Sequence, residues 1–229
     1  MFYSTNRGLP NGFKPQVDFS TALFTGIAAD AGLFVPDNIP QVTKQEIIGL
    51  KNKPYSQVAF FVLKKFLEND FTDAQLQRIC ESAYDFKVPI EKTRDFYLMR
   101  LDQGPTASFK DFAARFLARS MSELKEEKNI TVLVATSGDT GSAVGEAFKG
   151  ILGINVFILY PRYEVSAVQK QQLDSIGENV QAICVDGKFD DCQKLVKQAF
   201  ADESLRKLNL TSANSINIGR ILPQIAYYF

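Results

Sequence analysis

The stretch ITVLVATSGDTGSAVGEAFKGI, residues 130–151, decides the fold. Residues 130–135 are apolar apart from Thr131 and largely β-branched, with no alternating polar face, which suits a strand buried on both sides. Ser137, Gly138, Asp139, Thr140 and Gly141 then make a small, Gly-containing turn, and a helical pattern follows. The same unit recurs downstream. INVFILYP (154–161) reads as a strand and EVSAVQKQQLDSIG (164–177) as a helix ending at Gly177. VQAICVDG (180–187) reads as a strand, FDDCQKLVKQAFADESLRKL (189–208) as a helix and NLTSANS (209–215) as a short strand. INIGRILPQIAYYF (216–229) reads as a last helix. Upstream, FYLMRL (96–101) is a strand and SFKDFAARFLARSMSELKEEK (108–128) a long amphipathic helix. Alternation of this kind gives an α/β fold with a parallel sheet and right-handed crossovers.

The first 93 residues carry a different pattern, which divides the chain into a mostly helical N-terminal domain (1–93) and an α/β region (94–229). FSTALFTGIAADAGLFVP (19–36) has helical spacing and is expected to stop near Gly32 and Pro36. YSQVAFFVLKKFLEND (55–70) offers Ser56 as N-cap, and Thr72 caps TDAQLQRICESAYDF, with Leu76, Ile79 and Ala83 on one face. VPIEKTRD (88–95) reads as a linker.

Composition excludes several kinds of chemistry. The 229 residues are 45% hydrophobic and 23% charged, with 26 basic and 26 acidic side chains, so no nucleic-acid partner is expected. No run is long enough to span a membrane, and MFYSTNRGLP does not resemble a secretory leader; cytoplasm is the default expectation. The three cysteines, Cys80, Cys184 and Cys192, have neither disulfide nor zinc spacing, so no metal is expected. Histidine is absent, which removes Ser-His-Asp and Cys-His nucleophilic sites and leaves acid-base work to Lys, Asp, Glu, Tyr or a cofactor. The ending QIAYYF has no cap and no polar tail, and the sequence is expected to be the front part of a longer chain.

Three segments carry candidate chemistry. In GPTASFKDFAARF (104–116), Phe109, Phe112, Ala113 and Phe116 are expected to face the core. Lys110 lies off that stripe in the first helical turn, where the helix dipole disfavours a cation, and Ala113 and Ala114 would leave room for a flat ring. Dipole and apolar wall together would favour the neutral amine that a Schiff base needs. The other reading is a solvated lysine beside Asp111. In ATSGDTGSAV (135–144), the backbone N–H groups of Ser137 to Gly141 offer an anion site at a helix start. The spacing matches neither GxxxxGK[ST] nor GxGxxG, and Asp139 disfavours a polyphosphate. A plain turn with Asp139 or Ser137 as N-cap is the alternative. In SANSINIGR (212–220), Asn214, Ser215 and Asn217 before a helix, with Arg220 after them, suit a phosphate monoester. Capping residues beside a solvated arginine are the alternative.

In this order the three segments resemble the threonine synthase family, pyridoxal-phosphate (PLP) enzymes of the tryptophan-synthase-β-like fold, or fold type II. TALFTGIAADAGLFVP (21–36) resembles the domain that the family adds in front, so the resemblance covers essentially the whole chain. It implies an α/β, parallel-sheet fold of type II, incomplete at the C-terminus. The missing part would carry the Gly-rich loop for the cofactor phosphate and the hydroxyl for the pyridine nitrogen. The resemblance also implies conversion of O-phospho-L-homoserine and water to L-threonine and phosphate. Lys110 falls on the position that holds the cofactor and moves protons. Ser137, Gly138, Asp139, Thr140 and Gly141 would bind the substrate carboxylate, with Asp139 or its neighbours near the ring hydroxyl of the cofactor. Asn214, Ser215 and Arg220 would hold the leaving phosphate. One departure is Gln103, where the family often has histidine. Other fold-type-II lyases or phospho-lyases acting on an amino acid, and an inactive piece that binds no cofactor, are the competing readings.

Overall fold

The computed structural model describes residues 1–8 and 12–229; the remainder of the MFYSTNRGLP start, residues 9 and 10, lies outside the described residues. Four parallel strands form the central sheet: β5 (Ile130–Ala135), β6 (Ile154–Pro161), β7 (Val180–Val185) and β8 (Leu210–Ser212). Their spatial order is β7-β6-β5-β8. The chain steps outward from β5 to β7 and then returns across the sheet to place β8 on the other side of β5. Strand order therefore reverses between β5 and β8, and a crevice opens beyond the carboxyl ends of strands at such a switch point.

Burial explains the sheet. All six residues of β5 are buried. Val132 and Val134 pack into the main core with α5 (Lys110–Leu124), α6 (Asp139–Phe148) and α7 (Ala167–Asp174), while Leu133 and Ala135 pack with Cys192 and Val196 of α8 (Phe189–Ala201). Helices thus cover both faces, as the unbroken apolar run requires. Glycine lets α6 approach closely: a Cβ on Gly141 would lie 2.5 Å from the Thr136 methyl and 2.9 Å from Ile158 and Leu173.

Before the sheet come β1 (Tyr3–Thr5), α1 (Phe19–Thr25), β2 (Phe34–Pro36), α2 (Lys44–Gly49), α3 (Tyr55–Leu67) and α4 (Asp73–Ala83). The helix expected to run toward Gly32 stops at Gly26, whose φ of 75° turns the chain, and residues 34–36 pair antiparallel with β1 instead. Ser56 is inside α3, whose N-cap is Pro54 without a side-chain bond. Thr72 caps α4 as expected, in a reciprocal box with Gln75, and Leu76, Ile79 and Ala83 are buried. Residues 88–95 are no simple linker. Ile90–Thr93 form β3, antiparallel to β4 (Phe96–Met99), in a hairpin outside the parallel sheet. All four residues of β3 are exposed, so burial left no pattern to read.

The helix expected over 189–208 breaks at Asp202 into a separate 3₁₀ turn (Glu203–Leu208). The last segment is also tighter than expected, with α9 (Ile218–Ile221) followed by a 3₁₀ stretch, Leu222–Tyr228. Tyr227 stacks edge-on to Phe112 at 5.9 Å, while Tyr228 is exposed. One continuous core joins Tyr3, Phe19 and Leu23 of the N-terminal unit to Phe116, Val132 and Ile218. Among the described residues no helix is long and apolar enough to cross a membrane, and no group of His, Cys, Asp and Glu could hold a metal ion.

Candidate active site

A cleft of about 730 Å³ opens where strand order reverses, with Ala135 at the end of β5 and Ser212 at the end of β8 in its wall. That volume suits a cofactor with a small substrate. Lys110, Ser137, Gly138, Asp139, Thr140, Asn214 and Ser215 all line it. The sequence-based reading thus placed one residue from α5, the β5–α6 turn and the β8–α9 turn into one cavity, although they are far apart in the chain.

Lys110 reaches the cleft because its neighbour does not. Asp111 is 1% exposed and turns inward. It accepts hydrogen bonds from the Thr106 backbone N–H (2.9 Å) and Thr106 Oγ1 (2.7 Å). This clamp folds Gly104-Pro105-Thr106 over the start of α5, and a Cβ on Gly104 would lie 2.5 Å from an Asp111 oxygen. Burial raises the Asp111 pKa above the ordinary carboxylate value, against the lowering effect of the Thr106 bonds. With Asp111 fixed inward, Lys110 points the other way.

The amine has a different setting from the one expected. Ala113 and Ala114 are buried in helix packing and do not line the cleft. Phe109, expected in the core, is 45% exposed, and the Lys110 amine lies 4.6 Å from its ring centroid. Lys110 Nζ stands 3.3 Å from Asp139 Oδ2. The surroundings are a carboxylate and an aromatic face in place of an apolar wall.

The turn before α6 is held by Thr136, a residue the sequence reading passed over. Its hydroxyl accepts from the N–H groups of Gly138 (3.1 Å) and Gly141 (2.9 Å) and donates to the Gly138 carbonyl (2.9 Å). The N-cap is Gly138, at φ 156°, rather than Asp139 or Ser137. Gly141 is therefore a packing residue with its N–H already used, not part of the cleft wall. The N–H groups of Ser137 and Thr140 have no hydrogen-bond partner among the described residues and remain available to an anion.

The 212–220 block divides in the same way. Asn214 lines the cleft, but its amide pairs with the end of β5, donating to the Ala135 carbonyl (2.9 Å) and accepting from its N–H (3.3 Å). Ser215 is exposed in the cleft wall. Asn217 is buried. Its amide donates to the carbonyls of Leu23 (2.8 Å) and Ser212 (2.9 Å) and accepts from the Gly219 N–H (2.8 Å). Arg220 was expected at the phosphate; it lies behind the wall, 3% exposed, outside the cleft lining. Its guanidinium donates to the Ala213 carbonyl (2.7 Å), and burial pulls its pKa down to about 10. Gln103, at the position where the family often has histidine, is at the surface and donates to Asp102 at 3.1 Å.

Several lining residues had no signal in the sequence. Thr25 and Ile27 arrive from the N-terminal unit because Asn217 ties the end of α1 to the end of β8. Gln169 comes from α7, and Gln193 and Lys197 from α8. Only the recurring helical spacing of α8 could have placed the last two on one face.

Residues 87–228 match the family described as "Pyridoxal-phosphate dependent enzyme", which is more than half of the chain. The chain belongs to this family. Residues 1–84 match "Threonine synthase N terminus". Among relatives, the threonine synthase of Buchnera aphidicola is 41% identical over 218 residues, covering 93% of this chain and 51% of that protein. The structure of PLP-bound threonine synthase from Brucella melitensis superposes with a TM-score of 0.90 at 39% identity, over 100% of this chain and 50% of that one. Threonine synthase from Escherichia coli gives 0.90 at 37%, over 100% and 53%. The chain spans about half the length of the curated relatives it matches. The fold is the α/β, parallel-sheet type II of this family, as the resemblance implied.

The cleft's own donors suit the family's cofactor. A primary amine, two backbone N–H groups without a partner among the described residues and the Ser215 hydroxyl meet around a partly apolar cavity large enough for a flat ring.

Proposed function

We propose that this chain provides the lysine and substrate-binding wall of a threonine synthase, acting on O-phospho-L-homoserine and water to give L-threonine and phosphate. The observation that carries the reading is the position of Lys110 Nζ, inside the cleft at the switch point and 3.3 Å from Asp139. The likeness to threonine synthases along the whole chain supports it. Bound PLP would supply an electron sink for carbanion chemistry. Lys110 would hold it and, once free, carry protons between substrate carbons. The N–H groups of Ser137 and Thr140 would bind the substrate carboxylate at the start of α6, with Gly138 shaping the turn. Asp139 would lie near the ring hydroxyl and keep the amine oriented. Ser215 and Asn214 would face the leaving phosphate. Arg220 would act from behind, fixing the Ala213 carbonyl and so the turn that presents them.

Residues 1–93 would form the threonine-synthase-type N-terminal domain, contributing Thr25 and Ile27 to the cleft, and residues 94–229 the cofactor-binding region. The partner is a small molecule, and neither nucleic acid nor membrane has a part. We place the activity in the cytoplasm, where the three free thiols would stay reduced.

The test supplies PLP and O-phospho-L-homoserine to the purified protein and follows both products. Equal amounts of threonine and phosphate support the reading. Phosphate with 2-oxobutyrate and ammonia would replace it with a phospho-lyase, and no turnover with any PLP content would count against catalysis by this chain.

A further inference from the structure

The carboxylate of Asp139 is shared. Its Oδ2 faces Lys110, and its Oδ1 accepts a hydrogen bond of 2.8 Å from Gln169 Nε2. Gln169 is held at its other end. Its Oε1 accepts from the Ser166 N–H (3.0 Å), and its own N–H donates to Ser166 Oγ (3.2 Å), which closes the capping box of α7. With the amide oxygen used by the cap, the amide nitrogen is the end presented to Asp139, and it can only donate.

The same side chain lies over the β5–α6 turn. A Cβ on Gly138 would sit 2.4 Å from Gln169 Nε2, so the absent side chain at 138 is what lets the amide reach Asp139. The Asp139 carboxyl is held below the ordinary carboxylate value, first by this bond and also by Lys110. Among the cleft-lining residues the other charged group is Lys197 on α8, on the far side of the sheet from α5.

We propose that Gln169 is a positioning residue that orients the Asp139 carboxylate toward Lys110, so that the start of α7 sets the environment of the reactive amine. The proposal deepens the reading above, naming one more residue of the same site. A residue that only capped α7 would leave Lys110 unaffected, and substitution separates the two roles. Gln169→Glu keeps an oxygen at the capping position but cannot donate, and it adds a second carboxylate beside Asp139. Gln169→Leu removes both functions and frees Asp139 to turn away.

The experiment measures the rate at which trinitrobenzenesulfonate labels Lys110 at one fixed pH, by peptide mass spectrometry. It uses neither cofactor nor substrate, so its failure leaves the threonine synthase reading standing. Gln169→Leu is expected to label about two- to fivefold faster than the unaltered protein, in step with Asp139→Asn, because the amine loses a partly exposed ionic partner. Gln169→Glu is expected to label more slowly, because its carboxylate gives the amine a second ionic partner. Unaltered labelling in Gln169→Leu, with Asp139→Asn accelerated, would overturn the proposal. Should Gln169→Leu fail to fold, Gln169→Met, close in shape to glutamine and equally unable to donate, decides in its place, and labelling at the unaltered rate would overturn the proposal.

Discussion

Lys110 and Asp111 are adjacent, yet one faces the cleft and the other the core. The carboxylate is the organising member: buried, clamped to Thr106 and unable to turn outward without leaving two donors unpaired. This gives a pH prediction. The folded chain holds the Asp111 proton more tightly than the unfolded chain, because burial raises its pKa. Stability from this group is therefore greatest below the unfolded carboxyl value of about 3.9 and declines as pH rises through the folded value. Urea unfolding of the protein and of Asp111→Asn across the acid range should show the unaltered protein losing stability relative to the variant as pH rises, so a difference that grows in favour of Asp111 is the contrary result.

At the scale of elements, the approach of α6 to the sheet depends on what is absent from Gly141. Gly141→Ala should cost about 1–3 kcal/mol, because Thr136, Ile158 and Leu173 must all move. The opposite sign is expected at Gly49 in α2, where a Cβ would meet nothing within 4 Å. There alanine should stabilise by about 0.5–1 kcal/mol through the unfolded chain. Thermal or urea unfolding of the two variants checks both signs, and a stabilised Gly141→Ala would show that the packing is loose. These elements also show what sequence patterning can carry. β5 and α6 were legible because burial on both faces leaves an unbroken apolar run, and Thr72 marks the start of α4 by local chemistry; the helix read over 164–177 is shorter, Ala167–Asp174, with Ser166 as its N-cap and Ser175 as its C-cap. β3 was not, because its four exposed residues carry no alternation. The end of α1 was placed six residues late, since apolar spacing continues past the turn that Gly26 makes.

For the molecule as a whole, the cleft joins segments that only the fold brings together. Lys110, the Ser137–Thr140 turn and Asn214–Ser215 were legible because each couples a small-residue turn to a helix start. Arg220 was misjudged because a sequence does not show which side of a wall a long side chain takes. Thr25 and Ile27 were invisible, since their approach rests on Asn217 reaching the Leu23 carbonyl across 194 positions. Asn217→Ala should therefore cost about 2–3 kcal/mol, leaving buried carbonyls unpaired. Hydrogen exchange should show its effect in residues 19–27 as well as 212–220. Loss of protection confined to 212–220 would mean that the two units are held together elsewhere.

We propose Lys110 as the cofactor lysine. Treating the protein with PLP, reducing with borohydride and mapping the peptides tests it most directly. One pyridoxyl group on Lys110 is the predicted result; a label on Lys197 or any other lysine, with Lys110 unmodified, would contradict it.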